Sequence, residues 1–185
     1  ISRGDWSSDV CSSDLFTLLI SFNLCSQELW KIDTDNSSIK YSGTHFVHNW
    51  NAENNKISGL LNLENGTINN IGVIAKVKDF NSGNSSLDSN AMRVVEALKY
   101  PNVIFRSSLI EQNDDKVNLE GILEFHGIKK DLKVDGKLEN GEDQMRINIS
   151  FNIKLSDFKI ERPSLFLRKV DNDIAIDIDL TFSPN

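Results

Sequence analysis

The sequence has little that would cross-link the chain or catalyse a reaction. Its two cysteines, Cys11 and Cys25, both lie near the N-terminus, so the rest of the chain has neither a disulfide nor a reactive thiol. It contains no Gly-x-Ser-x-Gly nucleophile motif and no glycine-rich phosphate-binding loop. We therefore expect a protein that is not an enzyme and that holds no cofactor.

Basic residues are too few for a nucleic-acid-binding protein. The chain has 20 Lys and Arg against 27 Asp and Glu, a net charge of −7. Residues 1–26 hold one arginine and three aspartates, so residues 27–185 keep 19 basic and 24 acidic residues, a net charge of −5. That sign argues against nucleic acid or an anionic membrane surface as the main partner.

A long apolar run is also missing. Residues 1–15 show no apolar period and resemble a translated sequencing-adapter remnant, so they are set aside from the fold. The apolar run at residues 16–24 is shorter than the roughly 20 residues that cross a bilayer, and it is typical of the apolar part of a secretory signal. We predict a truncated signal peptide at 16–26, one domain at 27–185, and a periplasmic or secreted location. A buried N-terminal strand and lipidation of Cys25 are the alternatives.

The feature that the sequence does have is a repeated alternation of apolar and polar residues, the pattern of strands with one buried face. It appears in eight segments, at residues 39–45, 57–63, 71–77, 103–109, 117–125, 128–138, 145–155 and 174–182. Hairpin signals at Asn65-Gly66, Asp114-Asp115 and Asn140-Gly141 separate several of them. The pattern predicts an all-β fold, a single antiparallel eight-stranded barrel.

One short helix is expected among the strands, after the polar loop at residues 82–86. Asp88 or Ser89 is predicted to cap it, and Pro101 to end it. Its apolar stripe has helical spacing and consists of Met92, Val95 and Leu98. We expect this helix to pack on the sheet or across the mouth of the barrel.

Three segments in order resemble the bacterial YceI family: LDSNAMRVVEALKYPNVIF at 87–105, GILEFHGIKKDLKV at 121–134 and SDFKIERPSLFLRKVDNDIAIDIDL at 156–180. The likeness covers roughly residues 30–182. It implies a secreted, lipocalin-like barrel of a family associated with binding polyisoprenoids and other long apolar molecules.

The function depends on what fills the barrel, because eight strands enclose either their own side chains or one small ligand. Small residues interrupt the inward apolar faces, although they also serve bends and close strand crossings: Gly43, Gly59, Ala75, Ser107, Gly121 and Gly136. Together with the resemblance, they favour a cavity for a long-chain isoprenoid or lipid, such as a polyisoprenoid, an isoprenoid quinone or a fatty-acid-like molecule.

The predicted lining is Val73, Phe105, Leu123, Phe125, Ile149 and Phe151, with Met92, Val95, Leu98 and Phe166 near the mouth. A Gly121→Phe substitution is expected to fill the tunnel and leave the fold intact.

Four arginines are candidates for holding a polar head group at the mouth, and for each the alternative is a solvated surface charge: Arg93, Arg106, Arg162 and Arg168. Trp50 and Trp30 are candidate site aromatics, and Trp30 is predicted instead to plug one end of the barrel.

Two other functions stay open. One is a packed, ligand-free barrel that binds a protein partner through its outer face or through residues 158–171. The other is a metal-dependent enzyme that uses His45 and His48, although residues three apart on a strand point to opposite faces unless the chain turns in the polar segment 49–55. We predict no metal, and a homodimer stays open.

Overall fold

The computed structural model describes residues 27–44, 49–141, 143–165 and 168–185, and these form twelve strands and one α-helix. The strands are β1 (Gln27–Ile32), β2 (Ser38–Thr44), β3 (Asn49–Asn54), β4 (Ile57–Glu64), β5 (Thr67–Lys76), β6 (Asn102–Asn113), β7 (Lys116–Phe125), β8 (Ile128–Asn140), β9 (Met145–Lys154), β10 (Ser164–Leu165), β11 (Arg168–Lys169) and β12 (Asp173–Pro184). The helix is α1 (Ser85–Val94). The adapter remnant and the signal peptide stay predictions, because residues 1–26 lie outside the described residues.

Eight strands close into an antiparallel barrel. They follow the order β1, β4, β5, β6, β7, β8, β9, β12, and β12 pairs back onto β1. In that last pairing Trp30 lies opposite Pro184 and Ile32 opposite Phe182. Closure joins the two edges of the sheet, which would otherwise expose unpaired backbone groups. The predicted all-β, single antiparallel eight-stranded, lipocalin-like barrel with one short helix is confirmed.

The hairpin β2–β3 extends one side of this barrel. β2 follows β1 after a 3-10 turn at Thr34–Asn36, and both strands pair with the same edge of β12. Residues 182–184 of β12 pair with β1, whereas residues 175–179 pair with β2. β3 is joined to the segment after β5 by backbone hydrogen bonds between Glu53 and Asn81. The barrel is therefore taller on the side of β2 and β3.

The sequence pattern did not predict β1 and β3 as strands. β1 is exposed except at Trp30 and Ile32, so it shows too short an apolar alternation. In β3 the buried positions are Ala52 and Asn54, and an asparagine breaks the apolar pattern. The Asn54 side chain is accommodated because its amide donates to the Lys76 carbonyl oxygen at 3.2 Å.

The predicted hairpin turns are present. Asn65 and Gly66 both have positive φ angles, of 54° and 78°, as the two-residue turn between β4 and β5 requires. His126 and Gly127, with φ of 50° and 70°, form the same kind of turn between β7 and β8. These turns fix the register that brings one apolar face of each strand into the barrel.

Helix α1 begins earlier than predicted. Its N-cap is Asn84, whose side-chain oxygen accepts from the backbone N–H of Ser86 at 3.0 Å and of Leu87 at 3.2 Å. The prediction of Asp88 as the cap is wrong, because its carboxylate instead accepts from the backbone N–H of Ser82 at 3.0 Å. Ser89, the other predicted cap, lies inside the helix.

The helix also ends earlier than predicted, at Val94 rather than near Pro101. Glu96 adopts a left-handed φ of 47°, and the Ala97 N–H donates back to the Met92 carbonyl oxygen at 2.9 Å. This arrangement is a Schellman motif, which satisfies the last carbonyls of a helix and turns the chain away. It usually requires glycine, so the sequence carries no signal for it.

Gly121 is required by backbone packing, not by the cavity. It lies opposite Ser107, where the register of β6 shifts before Leu109. A Cβ atom at this position would collide with the Arg106 carbonyl group and lie 2.9 Å from the Ser107 Cα. The expectation that Gly121→Phe fills the tunnel without harming the fold is therefore wrong, because any side chain would first separate β6 from β7.

We predict that Gly121→Ala lowers the free energy of unfolding by about 1–3 kcal/mol, because the new methyl group meets rigid backbone. Gly72→Ala is the matched control, since a Cβ at Gly72 meets no atom within 4 Å. Urea unfolding of both variants measures the difference. Equal stability of the two variants would contradict the steric explanation.

Candidate functional site

An apolar cavity occupies one half of the barrel interior. Its volume is about 470 Å³, within the range of ligand-binding pockets. Aliphatic and aromatic side chains from the barrel strands make up most of its wall, including Leu119, Leu132, Val134, Ile176 and Ile178. A wall of this kind offers few hydrogen bonds and favours apolar contents.

The other half of the barrel is filled by its own side chains. The end that carries the 65–66, 114–115 and 140–141 turns holds a cluster of nearly inaccessible residues, among them Leu61, Leu138, Ile147 and Phe182. Trp30 belongs to this cluster and is 6% exposed, so it lies where the prediction put it, at a plugged end of the barrel. The barrel is thus packed at one end and hollow at the other.

Helix α1 forms part of the wall at the hollow end. Its residues Leu87, Ala91, Met92 and Val94 line the cavity. Val94 packs against a second apolar cluster, which is centred on Leu123, Phe158 and Ile160. The helix therefore lies across the mouth of the barrel, between the cavity and solvent.

Eight of the ten predicted site residues are on the cavity wall. They are Val73, Met92, Val95, Phe105, Leu123, Phe125, Ile149 and Phe151. Leu98 is not, because the helix ends at Val94 and the side chain of Leu98 is fully exposed, at 104%. The prediction for Leu98 is therefore wrong. Phe166 lies outside the described residues, so its prediction stays untested.

Two aromatic residues of the hairpin β2–β3, Tyr41 and Trp50, also line the cavity, although neither belongs to the predicted lining set. Tyr41 shares the inward face of β2 with Ile39, so the alternation of that segment identifies it. Trp50 was only a candidate site aromatic, because β3 is polar in sequence and its alternation gives no direction for the side chain. Pairing with β2 is what directs Trp50 towards the cavity.

The four candidate arginines differ in position. Arg93 lines the cavity from α1, is exposed, and donates to the Asn90 side chain at 3.1 Å. Arg106 is exposed on β6, one residue from the inward-facing Phe105. Arg162 donates to the Val170 carbonyl oxygen at 3.2 Å, and Arg168 is exposed on β11. Of these four, Arg93 alone lies on the cavity wall.

Within the described ranges, no group of three or more His, Cys, Asp and Glu residues is placed to hold a metal ion. His45 and His48, on which the metal alternative depends, lie outside those ranges. In the same ranges, no helix has the length and apolar character needed to cross a membrane.

His126 connects three parts of the chain beside the mouth. Its Nδ1 lies 2.8 Å from the Phe158 carbonyl oxygen, and its Nε2 lies 2.9 Å from the Glu96 carboxylate. The ring also packs edge-on against Tyr100, with centroids 4.8 Å apart. The β7–β8 turn is thereby tied to the chain that follows α1.

The chain matches one known domain family over most of its length. The family model of the YceI-like domain matches residues 30–182. No curated protein matches the chain in sequence.

Several solved structures share the fold. BcnA of Burkholderia cenocepacia superimposes with a TM-score of 0.73 at 17% identity, over 81% of this chain and 98% of that one. A polyisoprenoid-binding domain from Saccharophagus degradans, implicated in plant cell wall breakdown, has a TM-score of 0.69 at 12% identity, over 84% and 98%. The YceI protein of Campylobacter jejuni has a TM-score of 0.55 at 22% identity, over 64% and 74%. At these identities the likeness is one of fold.

We predict that His126→Asn loosens the mouth, because it removes both ring hydrogen bonds while asparagine tolerates the positive φ. The free energy of unfolding should fall by about 1–3 kcal/mol, and backbone hydrogen exchange at fixed pH should quicken in α1. Glu96→Gln is the comparison variant, since it keeps a side-chain oxygen at the same place. Unchanged exchange in α1 after His126→Asn would show that apolar packing alone holds the helix.

Proposed function

This chain belongs to the family of YceI-like domains, and we propose that it binds one long-chain apolar or amphiphilic molecule inside its barrel. The ligand class is a polyisoprenoid, an isoprenoid quinone or a fatty-acid-like molecule. The observation that carries the proposal is the apolar cavity of about 470 Å³ at the end of the barrel that α1 covers. The proposal involves no catalytic step.

The chemistry of the wall supports a ligand with a long hydrocarbon part. Each buried methylene contributes about 0.8 kcal/mol, so ten of them contribute on the order of 8 kcal/mol before the cost of association. A wall made of Leu119, Phe151 and Ile178 and similar residues selects by shape and length, because it has few directional groups. The Saccharophagus degradans domain, which shares the fold, is a polyisoprenoid-binding domain, and this supports the same ligand class here.

We also propose a periplasmic or secreted location. The support for it is the apolar run at residues 16–24, which has the length and composition of the apolar part of a secretory signal.

The second candidate is a module that binds a protein partner through the outside of the barrel. The observation in its favour is a set of exposed apolar side chains on the outer face of β4, β5 and β7, namely Leu60, Ile74 and Ile122. The hollow half of the barrel favours the ligand-binding function over this one.

The direct test is native mass spectrometry of the protein purified from bacterial cells, followed by organic extraction and lipid analysis. The proposal expects an adduct of defined mass that extracts as an isoprenoid, a quinone or a fatty acyl compound. A bare polypeptide that also takes up no added isoprenoid quinone or palmitic acid would contradict the proposal. That result would favour the module that binds a partner protein.

A second prediction concerns Ile178, which faces the cavity from β12 and is only partly buried because it borders empty space. Ile178→Trp should extend into that space and displace at least two methylenes of ligand, lowering affinity about tenfold. Ile74→Trp, on the outer face of β5, is the matched control and should bind normally. Titration of each variant with an isoprenoid quinone measures the effect, and equal affinities would place the ligand elsewhere.

A further inference from the structure

Two aromatic cavity residues of the hairpin β2–β3, Tyr41 and Trp50, lie on paired strands. Gly43 of β2 is paired with Trp50, and Tyr41 is paired with Ala52, so Tyr41 and Trp50 are diagonal neighbours on the inward face. A Cβ atom on Gly43 would lie 2.7 Å from the Trp50 Cε2, so the indole ring covers Gly43. Glycine at this position lets the indole lie against the backbone of β2.

Both side chains line the cavity and carry one hydrogen-bond donor each. Neither the Tyr41 hydroxyl nor the Trp50 indole N–H has a hydrogen-bond partner among the described residues. Both side chains are half-buried, and Tyr41 packs against Phe80 with ring centroids 5.4 Å apart. Tyrosine and tryptophan each combine a largely apolar ring with one donor, so both can line an apolar wall and still offer a hydrogen bond to an acceptor on the ligand.

Among the described residues, Asp88 and Arg93 are the charged ones on the cavity wall. Asp88 accepts from the Ser82 N–H, and Arg93 donates to Asn90. The donors of Tyr41 and Trp50 are neutral groups on β2 and β3, whereas the cation of Arg93 belongs to an exposed side chain on the helix.

The surroundings of Tyr41 disfavour a negative charge on its hydroxyl oxygen. Burial, and to a smaller extent the Asp88 carboxylate, raise the pKa of Tyr41 to about 12. Its hydroxyl therefore stays protonated, and remains a donor, throughout the neutral pH range. The same burial and the same carboxylate would also oppose an anionic head group placed beside Tyr41.

We infer that Tyr41 and Trp50 donate hydrogen bonds to an uncharged oxygen acceptor at the head of the bound chain, such as the carbonyl of a ketone, quinone or ester. A phosphorylated head group is disfavoured at this position. The inference rests on the proposed function, since it assumes that the cavity holds the apolar chain of the ligand.

The test compares three probes that share an isoprenoid chain: farnesylacetone, which ends in a ketone, the hydrocarbon farnesene, and farnesyl diphosphate. Calorimetric titration of the unaltered protein should show the ketone binding about five- to tenfold more tightly than the hydrocarbon, the effect of one to two net hydrogen bonds. The diphosphate should bind more weakly than the ketone.

Tyr41→Phe keeps the ring and removes the hydroxyl, so it should reduce ketone affinity several-fold and leave hydrocarbon affinity unchanged. Trp50→Phe should act in the same direction. Tyr100→Phe is the matched control, because Tyr100 packs on His126 outside the cavity wall and should alter neither affinity.

The outcomes separate the inference from the proposed function. Equal binding of ketone and hydrocarbon, or tightest binding of the diphosphate, would overturn the inference while the apolar cavity kept its function. The same holds if Tyr41→Phe weakened both neutral probes alike. Failure of all three probes to bind would overturn the inference and count against the proposed function as well.

Discussion

The pairing of β12 with β1 is the contact on which the rest of this structure depends. It closes the sheet, so each strand gains a neighbour on both sides and the inward faces of eight strands enclose one interior. Near this pairing, Trp30, Phe182 and their neighbours fill the interior completely. Further along β12, where β2 replaces β1 as its partner, Ile176 and Ile178 border open space instead. One strand thus takes part in both the packed half and the hollow half of the barrel.

The hollow half is enclosed by parts of the chain outside the regular barrel. Helix α1 contributes the apolar side of its surface, and His126 ties the chain after the helix to the β7–β8 turn and to the Phe158 backbone. The hairpin β2–β3 contributes Tyr41 and Trp50. These elements differ in kind: the helix adds apolar surface and exposed charge, and the hairpin adds neutral donors. The cavity wall is therefore mostly apolar, with polar groups from both the helix and the hairpin at its mouth.

Sequence reasoning succeeded where one physical rule acts locally. The period of two in residues 145–155 and 174–182 requires only that one face of a strand be buried, and the structure buries that face. It failed where the outcome depends on contacts between distant residues. The left-handed Glu96 that stops the helix, and so exposes Leu98, is one such case. Gly121 is another, because only its opposition to the Ser107 bulge shows that it avoids a backbone collision.

The sequence by itself determined the all-β class, the hairpin turns and eight of the ten predicted wall positions, because alternation and turn chemistry are properties of neighbouring residues. Tertiary structure alone decided how much of the interior stays empty, since that depends on how side chains from strands far apart in sequence meet across the barrel. It also decided that Trp50, in a strand with a polar sequence, faces the cavity, because pairing with β2 sets the direction of that side chain.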